Sequence, residues 1–270
     1  MPETGKNQTT NGHRLTIRVG SGSLSFSLAC PETEKLVAYE PYDVNNGISM
    51  AANLREALKT LPFALEHRRR ALVLLDTPVV FIPTDEFTED TKKLIYTHTL
   101  TGQEGNAVLH SVLPALNAVA VYAVNRDLKL VIEDNFEDFK FSHTCIAVIN
   151  RMYKHNFTGT GRKLFCHFNG HNINVYSFLQ KRFKFANSYD AESTRDAIYF
   201  IMHVWQQLAL NQQKDELHIV GDVRERDMLT KELGKYIRNV CMINRNAEFN
   251  RSPIASIEGM PYDLVAHFMK

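Results

Sequence analysis

The amino-acid sequence predicts an α/β protein in which one order of strands and helices occurs twice. Segments 14–28 and 163–177 share an alternation of apolar residues around a small polar turn, as two hairpins would. Each is followed by a third strand-like segment that ends in Tyr-Asp, and then by a buried-type strand that ends at an aspartate. We therefore predict two mixed sheets, each beginning with three antiparallel strands and flanked by helices.

The first half of the sequence is the longer one. Its predicted elements after the hairpin are, in chain order, the strand 35–44, the helix 49–61, the strand 71–77, the helix 88–100, a strand pair at about 107–125, the helix 126–135, the strand 138–143 and a helix near 144–155. The passage that follows the strand pair has no counterpart in the second half, so it is predicted as an addition to the first.

The second half begins with a hairpin that carries Asn169-Gly170. We predict a type I′ turn there, because that turn needs two residues that tolerate positive φ. Ser193 is expected to cap the next helix, which has apolar residues at helical spacing. The predicted elements after the hairpin are the strand 182–191, the helix 193–210, the strand 216–223, the helix 225–237, the strand 240–244 and a closing helix that begins near Pro261.

Glycines and polar residues interrupt the pattern at 156–163, and we place a domain boundary there. The first domain is predicted to span residues 13–157 and the second residues 158–270. Residues 1–12 are polar and are expected to form a disordered tail.

The composition is that of a globular protein, with 44% hydrophobic and 23% charged residues. A formal net charge of +1 gives no electrostatic case for nucleic acid or for a membrane surface. No apolar stretch reaches the roughly 18 residues of a membrane span, and the polar N-terminus lacks the apolar core of a secretion signal. The cysteines Cys30, Cys145, Cys166 and Cys241 form no C-x-x-C pair, which favours reduced thiols. We therefore expect a cytoplasmic protein.

Two such halves in tandem resemble the actin-like ATPase superfamily, in which two ribonuclease-H-like domains flank a nucleotide cleft. The passage that ends the first half is similar to that of bacterial actin-like proteins of the cell-division and pilus-assembly type. More specifically, the chain resembles an uncharacterised bacterial family with an actin-like fold and no established activity. The resemblance spans residues 14 to 270 and rests on architecture.

The nucleotide motifs that this resemblance implies are degenerate. Active members carry Asp-x-Gly in each hairpin, where the first carboxylate organises Mg²⁺ and the backbone amides hold phosphates. Here Arg18 and His167 stand at those positions. A cation would repel Mg²⁺, and the hard oxygen ligand is lost as well, so neither ATP nor Mg²⁺ is expected as a cofactor. The small-residue pair expected at the adenosine is half kept, as Gly221-Asp222, and its counterpart Asp76 favours an ordinary role in a turn or a helix cap.

No catalytic or metal-binding residue is therefore assigned. If the cleft persists, Arg18 and His167 would face each other across it and suit an anion without a metal. Hydrogen-bonded hairpin histidines are favoured over a metal site at His167 and His171. The residues expected to line the cleft are Arg18, Gly20, Ser21, His167, Asn169, Gly170, Gly221 and Asp222.

Three functions remain open at this point. The leading hypothesis is a non-catalytic actin-like protein, a pseudo-ATPase that acts as a binding or assembly module with a protein partner. The alternative is metal-independent binding or turnover of a phosphorylated small molecule in the interdomain cleft. The third is a divergent ATPase whose carboxylates come from elsewhere, such as Asp43, Asp76, Asp190 or Asp222. The sequence does not indicate an oligomeric state.

Overall fold

The computed structural model describes residues 14–29, 37–62, 69–158, 161–179 and 182–269. The predicted tail at 1–12 and Cys30 lie outside these residues. Thirteen strands occur in the described ranges, and they form two five-stranded sheets and one three-stranded sheet. No helix in those ranges is long and apolar enough to cross a membrane.

The first sheet has the strand order β3-β2-β1-β4-β8. These strands are β1 (Leu15–Val19), β2 (Leu24–Ala29), β3 (Val37–Tyr42), β4 (Arg70–Leu75) and β8 (Asp138–His143). β1 pairs antiparallel with β2, and β2 with β3, whereas the pairs β1–β4 and β4–β8 are parallel. The sheet is therefore mixed, as predicted.

The second sheet has the strand order β11-β10-β9-β12-β13. These strands are β9 (Lys163–Asn169), β10 (Asn172–Leu179), β11 (Arg182–Asp190), β12 (Glu216–Gly221) and β13 (Asn239–Met242). Its first three strands are antiparallel and its last two pairs are parallel. The two sheets thus have the same order and the same polarity, strand for strand. β8 is therefore the counterpart of β13, and the prediction that the passage after the strand pair has no counterpart is wrong; the strands without a counterpart lie between β4 and the helix 126–135.

A third, small sheet was only partly predicted. It contains β5 (Val79–Pro83), β6 (Ala107–Leu113) and β7 (Ala118–Val124), in the order β5-β7-β6. β6 and β7 form the expected strand pair, but β5 was missed. Its four apolar residues lie between two prolines and show no alternation, so neither the length nor the period of a strand could be read from them. β5 pairs with the fully buried β7 and thereby covers one side of it.

The helices follow the predicted order except for a short one at 245–248 that was not predicted, and most are a few residues shorter than expected. They are α1 (Met50–Thr60), α2 (Lys92–Thr99), α3 (Arg126–Asn135), α4 (Cys145–His155), α5 (Thr194–Gln207), α6 (Arg226–Leu233), α7 (Arg245–Glu248) and α8 (Tyr262–Phe268). Ser193 caps α5 as predicted: its hydroxyl accepts from the Asp196 amide at 3.2 Å, and the Asp196 carboxylate accepts from the Ser193 amide at 3.0 Å. Pro261 stands directly before α8.

The turn of the second hairpin differs from the prediction. The strand register pairs Asn169 with Asn172, so the two turn residues are Gly170 and His171. Gly170 has a φ of +62°, whereas neither Asn169 nor His171 has a positive φ. One positive φ at the first turn position is the pattern of a type II′ turn, which needs glycine only there. The predicted type I′ turn is therefore wrong, and Asn169 belongs to the strand.

One apolar cluster joins elements from both sheets. It contains Val148 and Met152 of α4, Phe165 of β9, Tyr176 of β10 and Leu264 of α8, all nearly or fully buried. Because α8 packs against α4, the end of the chain lies beside the elements of the first sheet. This packing brings the first turn of α8 to the two hairpins.

Candidate functional site

The two hairpins occupy equivalent positions in their sheets. β1 and β9 are the central strands, with Arg18 beside Leu74 of β4 and His167 beside Val220 of β12. The aspartate after each parallel strand also has an equivalent bond. The amide of Asp76 donates to the Val19 carbonyl at 2.9 Å, and the amide of Asp222 donates to the Phe168 carbonyl at 3.2 Å. The sequence alignment of Arg18 with His167 therefore corresponds to equivalent places in space.

Arg18 is held by a carboxylate that the sequence analysis did not single out. Its side chain is buried and forms an ion pair with Asp263, at the start of α8. Nε donates to both carboxylate oxygens at 2.9 and 3.1 Å, and Nη2 donates to Oδ2 at 2.8 Å. This two-pronged geometry is the strong form of a guanidinium–carboxylate contact.

The remaining bonds of Arg18 join the first hairpin to the second. Nη2 also donates to Asp76 Oδ2 and to Asn169 Oδ1, both at 3.2 Å. Asn169 Nδ2 donates in turn to Asp76 Oδ2 at 2.6 Å. We call Arg18, Asp76, Asn169 and Asp263 the Arg18 cluster. Two carboxylates and one guanidinium at direct hydrogen-bond distance fill the junction between the hairpins.

Asp76 has a different role from the expected turn or helix cap. Its carboxylate binds side chains: Arg18 and Asn169 through Oδ2, and the Thr144 hydroxyl, at 3.2 Å, through Oδ1. It therefore connects β4 to both hairpins and to the residue that precedes α4.

The ion pair shifts the pKa of both partners. Burial by itself raises the pKa of the Asp263 carboxyl, but the charge and hydrogen bonds of Arg18 outweigh it and hold that pKa below the usual range. Burial by itself lowers the pKa of Arg18, but Asp263 and Asp76 raise it above its ordinary value. Both groups are therefore charged at neutral pH.

His167 is buried beside the cluster and makes no bond through one ring nitrogen. The residue is 3% exposed, and its Nδ1 has no hydrogen-bond partner among the described residues. Its ring centroid lies 5.6 Å from that of Tyr262. Burial lowers the pKa of His167, although Asp263 and Asp76 oppose this effect, so the ring is neutral at pH 7.

His171 is exposed in the turn, and within the described ranges no group of three or more His, Cys, Asp or Glu could hold a metal ion.

Acidification is expected to destabilise the protein partly through His167. A histidine whose folded pKa is lowered binds its proton in the unfolded chain first, so stability falls as the pH drops below about 6.5. In His167→Phe, the loss of unfolding free energy between pH 7 and pH 5 should be smaller than in the native chain. Urea titrations at both pH values measure this difference, and the other buried histidines cancel because both proteins carry them. An equal loss in the two proteins would contradict the assignment.

The other expected cleft residues are divided among different places. Ser21 and Gly170 are exposed in the two hairpin turns, and the described bonds of the Arg18 cluster do not include them. Gly20 is buried, and a Cβ there would lie 2.6 Å from the Ser23 hydroxyl, which accepts from Arg18 Nη1 at 3.0 Å. Arg18 does point into the junction of the hairpins, but it meets Asn169 there rather than His167. Its charge is balanced by carboxylates, whereas the anion hypothesis expected a free cation.

Gly221 and Asp222 line a separate polar cavity of about 370 Å³. Gly221 has a φ of +93°, and a Cβ there would lie 2.1 Å from the Phe168 carbonyl oxygen, so only glycine fits. The cavity lies beyond the end of β12 and is also lined by Arg226 and Arg245. Nε of Arg245 is buried without a hydrogen-bond partner in the described part of the chain. The Nη atoms of Arg245 donate to the carbonyls of Met260 and Ile257. The exposed charges of this cavity are therefore those of Asp222 and Arg226.

Asp263 is the member of the Arg18 cluster that sequence reasoning missed. A signal for it exists, because Asp263 stands in a helical segment whose neighbours Tyr262, Leu264, Val265 and Ala266 are all apolar and buried. A carboxylate among buried residues needs a buried cation. Arg18 is the matching anomaly, because it is a charged residue inside the buried, mostly apolar strand "LTIRV". The two anomalies are 245 residues apart in sequence, so neither indicates the other without the fold.

The fold is that of the actin-like ATPases. The chain superposes with a TM-score of 0.82 and 22% identity on a protein with actin-like ATPase fold and unknown function from Bacteroides thetaiotaomicron VPI-5482, over 99% of this chain and 100% of that one. It also matches the PilM–PilN type IV pilus biogenesis complex, with a TM-score of 0.57 and 11% identity, over 95% of this chain and 97% of that chain. At these identities the likeness establishes the fold alone.

The chain belongs to the family described as protein of unknown function (DUF3822), which matches residues 2–240. The curated proteins contain no match to this sequence. The resemblance inferred from the sequence, to an uncharacterised family with an actin-like fold, is thereby confirmed.

Proposed function

We propose that this chain is a non-catalytic actin-like protein, a pseudo-ATPase that serves as a binding or assembly module. The observation that carries the proposal is the direct bridge between the hairpins. Nη2 of Arg18 reaches Asn169 at 3.2 Å on one side and Asp263 at 2.8 Å on the other. The place in which the family resemblance puts phosphates and Mg²⁺ is occupied by protein side chains.

Charge and coordination support the same conclusion. Mg²⁺ needs hard oxygen ligands in near-octahedral geometry, and the carboxylates at this junction, Asp76 and Asp263, are both committed to Arg18. A nucleotide's phosphates would have to displace a buried carboxylate from the guanidinium. Breaking a buried ion pair in this way typically costs several kcal/mol.

We also propose a domain organisation, a cellular location, a source and a type of partner for this chain. The equal order and polarity of the two large sheets support two tandem ribonuclease-H-like domains, 13–157 and 158–270, that arose by duplication. The described cysteines Cys145, Cys166 and Cys241 form no disulfide with one another, which is compatible with the proposed cytoplasmic location. A bacterial source is proposed on the family resemblance. An assembly role requires a protein partner. The PilM–PilN complex is a case in which this fold occurs in an assembly.

Millimolar Mg-ATP is expected to leave the melting temperature unchanged, and no phosphate release is expected. If ATP bound with a Kd one hundredfold below its concentration, it would add about 2.7 kcal/mol of stability, which is easily measured. Thermal denaturation with and without Mg-ATP, together with a phosphate-release assay, tests both expectations. Mg²⁺ alone serves as the control for salt effects. Phosphate release at a steady rate would favour the third hypothesis, an ATPase with displaced carboxylates such as Asp43 or Asp190.

A second candidate function is favoured by the polar cavity at Gly221 and Asp222. Two arginines, Arg226 and Arg245, and the end of a parallel strand meet there, as at ligand sites of other α/β proteins. This arrangement suits a phosphorylated small molecule held without a metal. Mass spectrometry that finds such a molecule co-purified with the native chain, and lost in Arg226→Ala, would favour this candidate over the leading one.

A further inference from the structure

A groove of about 460 Å³ lies between the edges of two different sheets. Its walls are β5 of the small sheet and the first six residues of β11, at 182–187, and we call it the edge groove. β5 is the last strand of the small sheet and β11 the last strand of the second sheet. One side of each backbone therefore has no strand partner among the described residues.

The apolar lining of the edge groove includes half-buried aromatic rings from both walls, beside aliphatic residues such as Val80 and Leu100. Phe81 of β5 and Phe183 of β11 have ring centroids 4.8 Å apart. Phe81 also meets Tyr176 edge to face, at 6.4 Å between centroids. Aromatic surface of this kind favours contact with apolar side chains.

The two edges are not equally able to accept another strand. In β11, Phe183 pairs with Phe178 and Phe185 pairs with Ser177, which leaves Lys184 as an extra, bulged residue. Bulges and lysines are the devices with which proteins protect sheet edges from unspecific pairing. β5 pairs with β7 without an irregularity, and its one proline, Pro83, is its last residue, so the outer edge at 79–82 carries neither a bulge nor a charged residue. The open edge is therefore that of β5, with the bulge of β11 opposite.

The charge of the edge groove has one sign. Arg182 and Lys184 line it, both exposed, and its lining residues include no aspartate or glutamate. An occupant that carries carboxylates would gain two opposite charges and meet no repelling one. A basic occupant would meet two like charges.

From these observations we propose that the edge groove binds an extended acidic segment of a partner protein, in which apolar and acidic residues alternate. The segment adds as a strand to β5, with its apolar side chains on Phe81 and Phe183 and its carboxylates facing Arg182 and Lys184. Main-chain bonds to a sheet edge give affinity in this mode of recognition, and alternate side chains give specificity. The inference rests on the proposed role as a binding or assembly module and names the partner's chemistry.

Peptide selection on the full chain tests the charge preference. A phage-displayed library of random eight-residue peptides is expected to yield sequences in which Asp or Glu alternates with apolar residues. The selected peptide is then synthesised with a fluorescent label, and its affinity is measured by anisotropy. The charge reversal Arg182→Glu with Lys184→Glu should weaken binding at least tenfold. The matched reversal Arg55→Glu with Lys59→Glu, on the exposed face of α1, should change it less than twofold.

Strand addition is tested with the same peptide carrying N-methyl groups at alternate positions. Methylation on the side that faces β5 removes the main-chain donors and should abolish binding, whereas methylation on the other side should not. A selection without acidic enrichment, equal effects of the two charge reversals, or equal effects of the two methylation patterns would each overturn the inference. Phosphate release is measured on the same samples. ATP turnover with intact peptide binding would contradict the pseudo-ATPase proposal but not the inference that the edge groove binds an acidic segment.

Discussion

Replacing Asp263 by alanine is expected to lower the free energy of unfolding by about 3–5 kcal/mol. The substitution leaves the Arg18 guanidinium buried without its principal partner, and uncompensated buried charges have costs of this size. Asp76 remains at 3.2 Å from Nη2, but its other oxygen is engaged by Thr144, so it does not replace both contacts. Urea denaturation at pH 7 measures the change.

Two further variants separate the ion pair from general damage to α8. Arg18→Met combined with Asp263→Leu removes both charges and should restore most of the stability, because apolar residues of similar volume often replace a buried pair without loss. Glu232→Ala breaks a solvent-exposed pair with Lys235 and should have a far smaller effect than Asp263→Ala. If Asp263→Ala and Glu232→Ala were equally mild, the cluster would not stabilise the junction.

Gly221→Ala is expected to be the second most damaging change, with a loss of at least about 3 kcal/mol. A positive φ in a residue with a side chain costs about 1–3 kcal/mol. At Gly221 the new Cβ would in addition lie 2.1 Å from the Phe168 carbonyl oxygen, a backbone atom that cannot move without disturbing β9. Thermal and urea denaturation give the loss, and the polar cavity should be distorted with it.

Gly102→Ala is the matched control for this prediction. Gly102 also has a positive φ, +74°, but a Cβ there would meet nothing within 4 Å. Gly102→Ala therefore carries the cost of the positive φ without the steric collision, and we expect a clearly smaller loss of unfolding free energy. Equal losses at the two positions would contradict the close approach of Gly221 to β9.

The order of strands and helices could be predicted from the sequence because each element carries a local signal. The helix 126–135 and the strand 138–143 were predicted with the bounds that the structure has. The stripe that includes Ala197 and Val204 packs into the core as its spacing indicated. Such periodicities are set by residues that are close together in the chain, so they can be read directly from the sequence.

What could not be predicted depends on residues that are far apart in the chain. β5 becomes a strand because β7 is beside it, and its own residues have no strand period. The partner of Arg18 is Asp263, near the other end of the sequence, and only the packing of α8 brings them together. The equivalence of Arg18 with His167 was predicted, but the closure of the junction by Asn169 and Asp76 needed the fold.

The central claim is that the Arg18 cluster occupies the place of a nucleotide's phosphates, and calorimetric titration of Mg-ATP into the native chain tests it most directly. We expect no saturable heat up to millimolar nucleotide, because binding would require Asp263 or Asp76 to leave Arg18. A single saturable site for Mg-ATP in that range that persists in Arg226→Ala, a variant of the polar cavity, would contradict the claim.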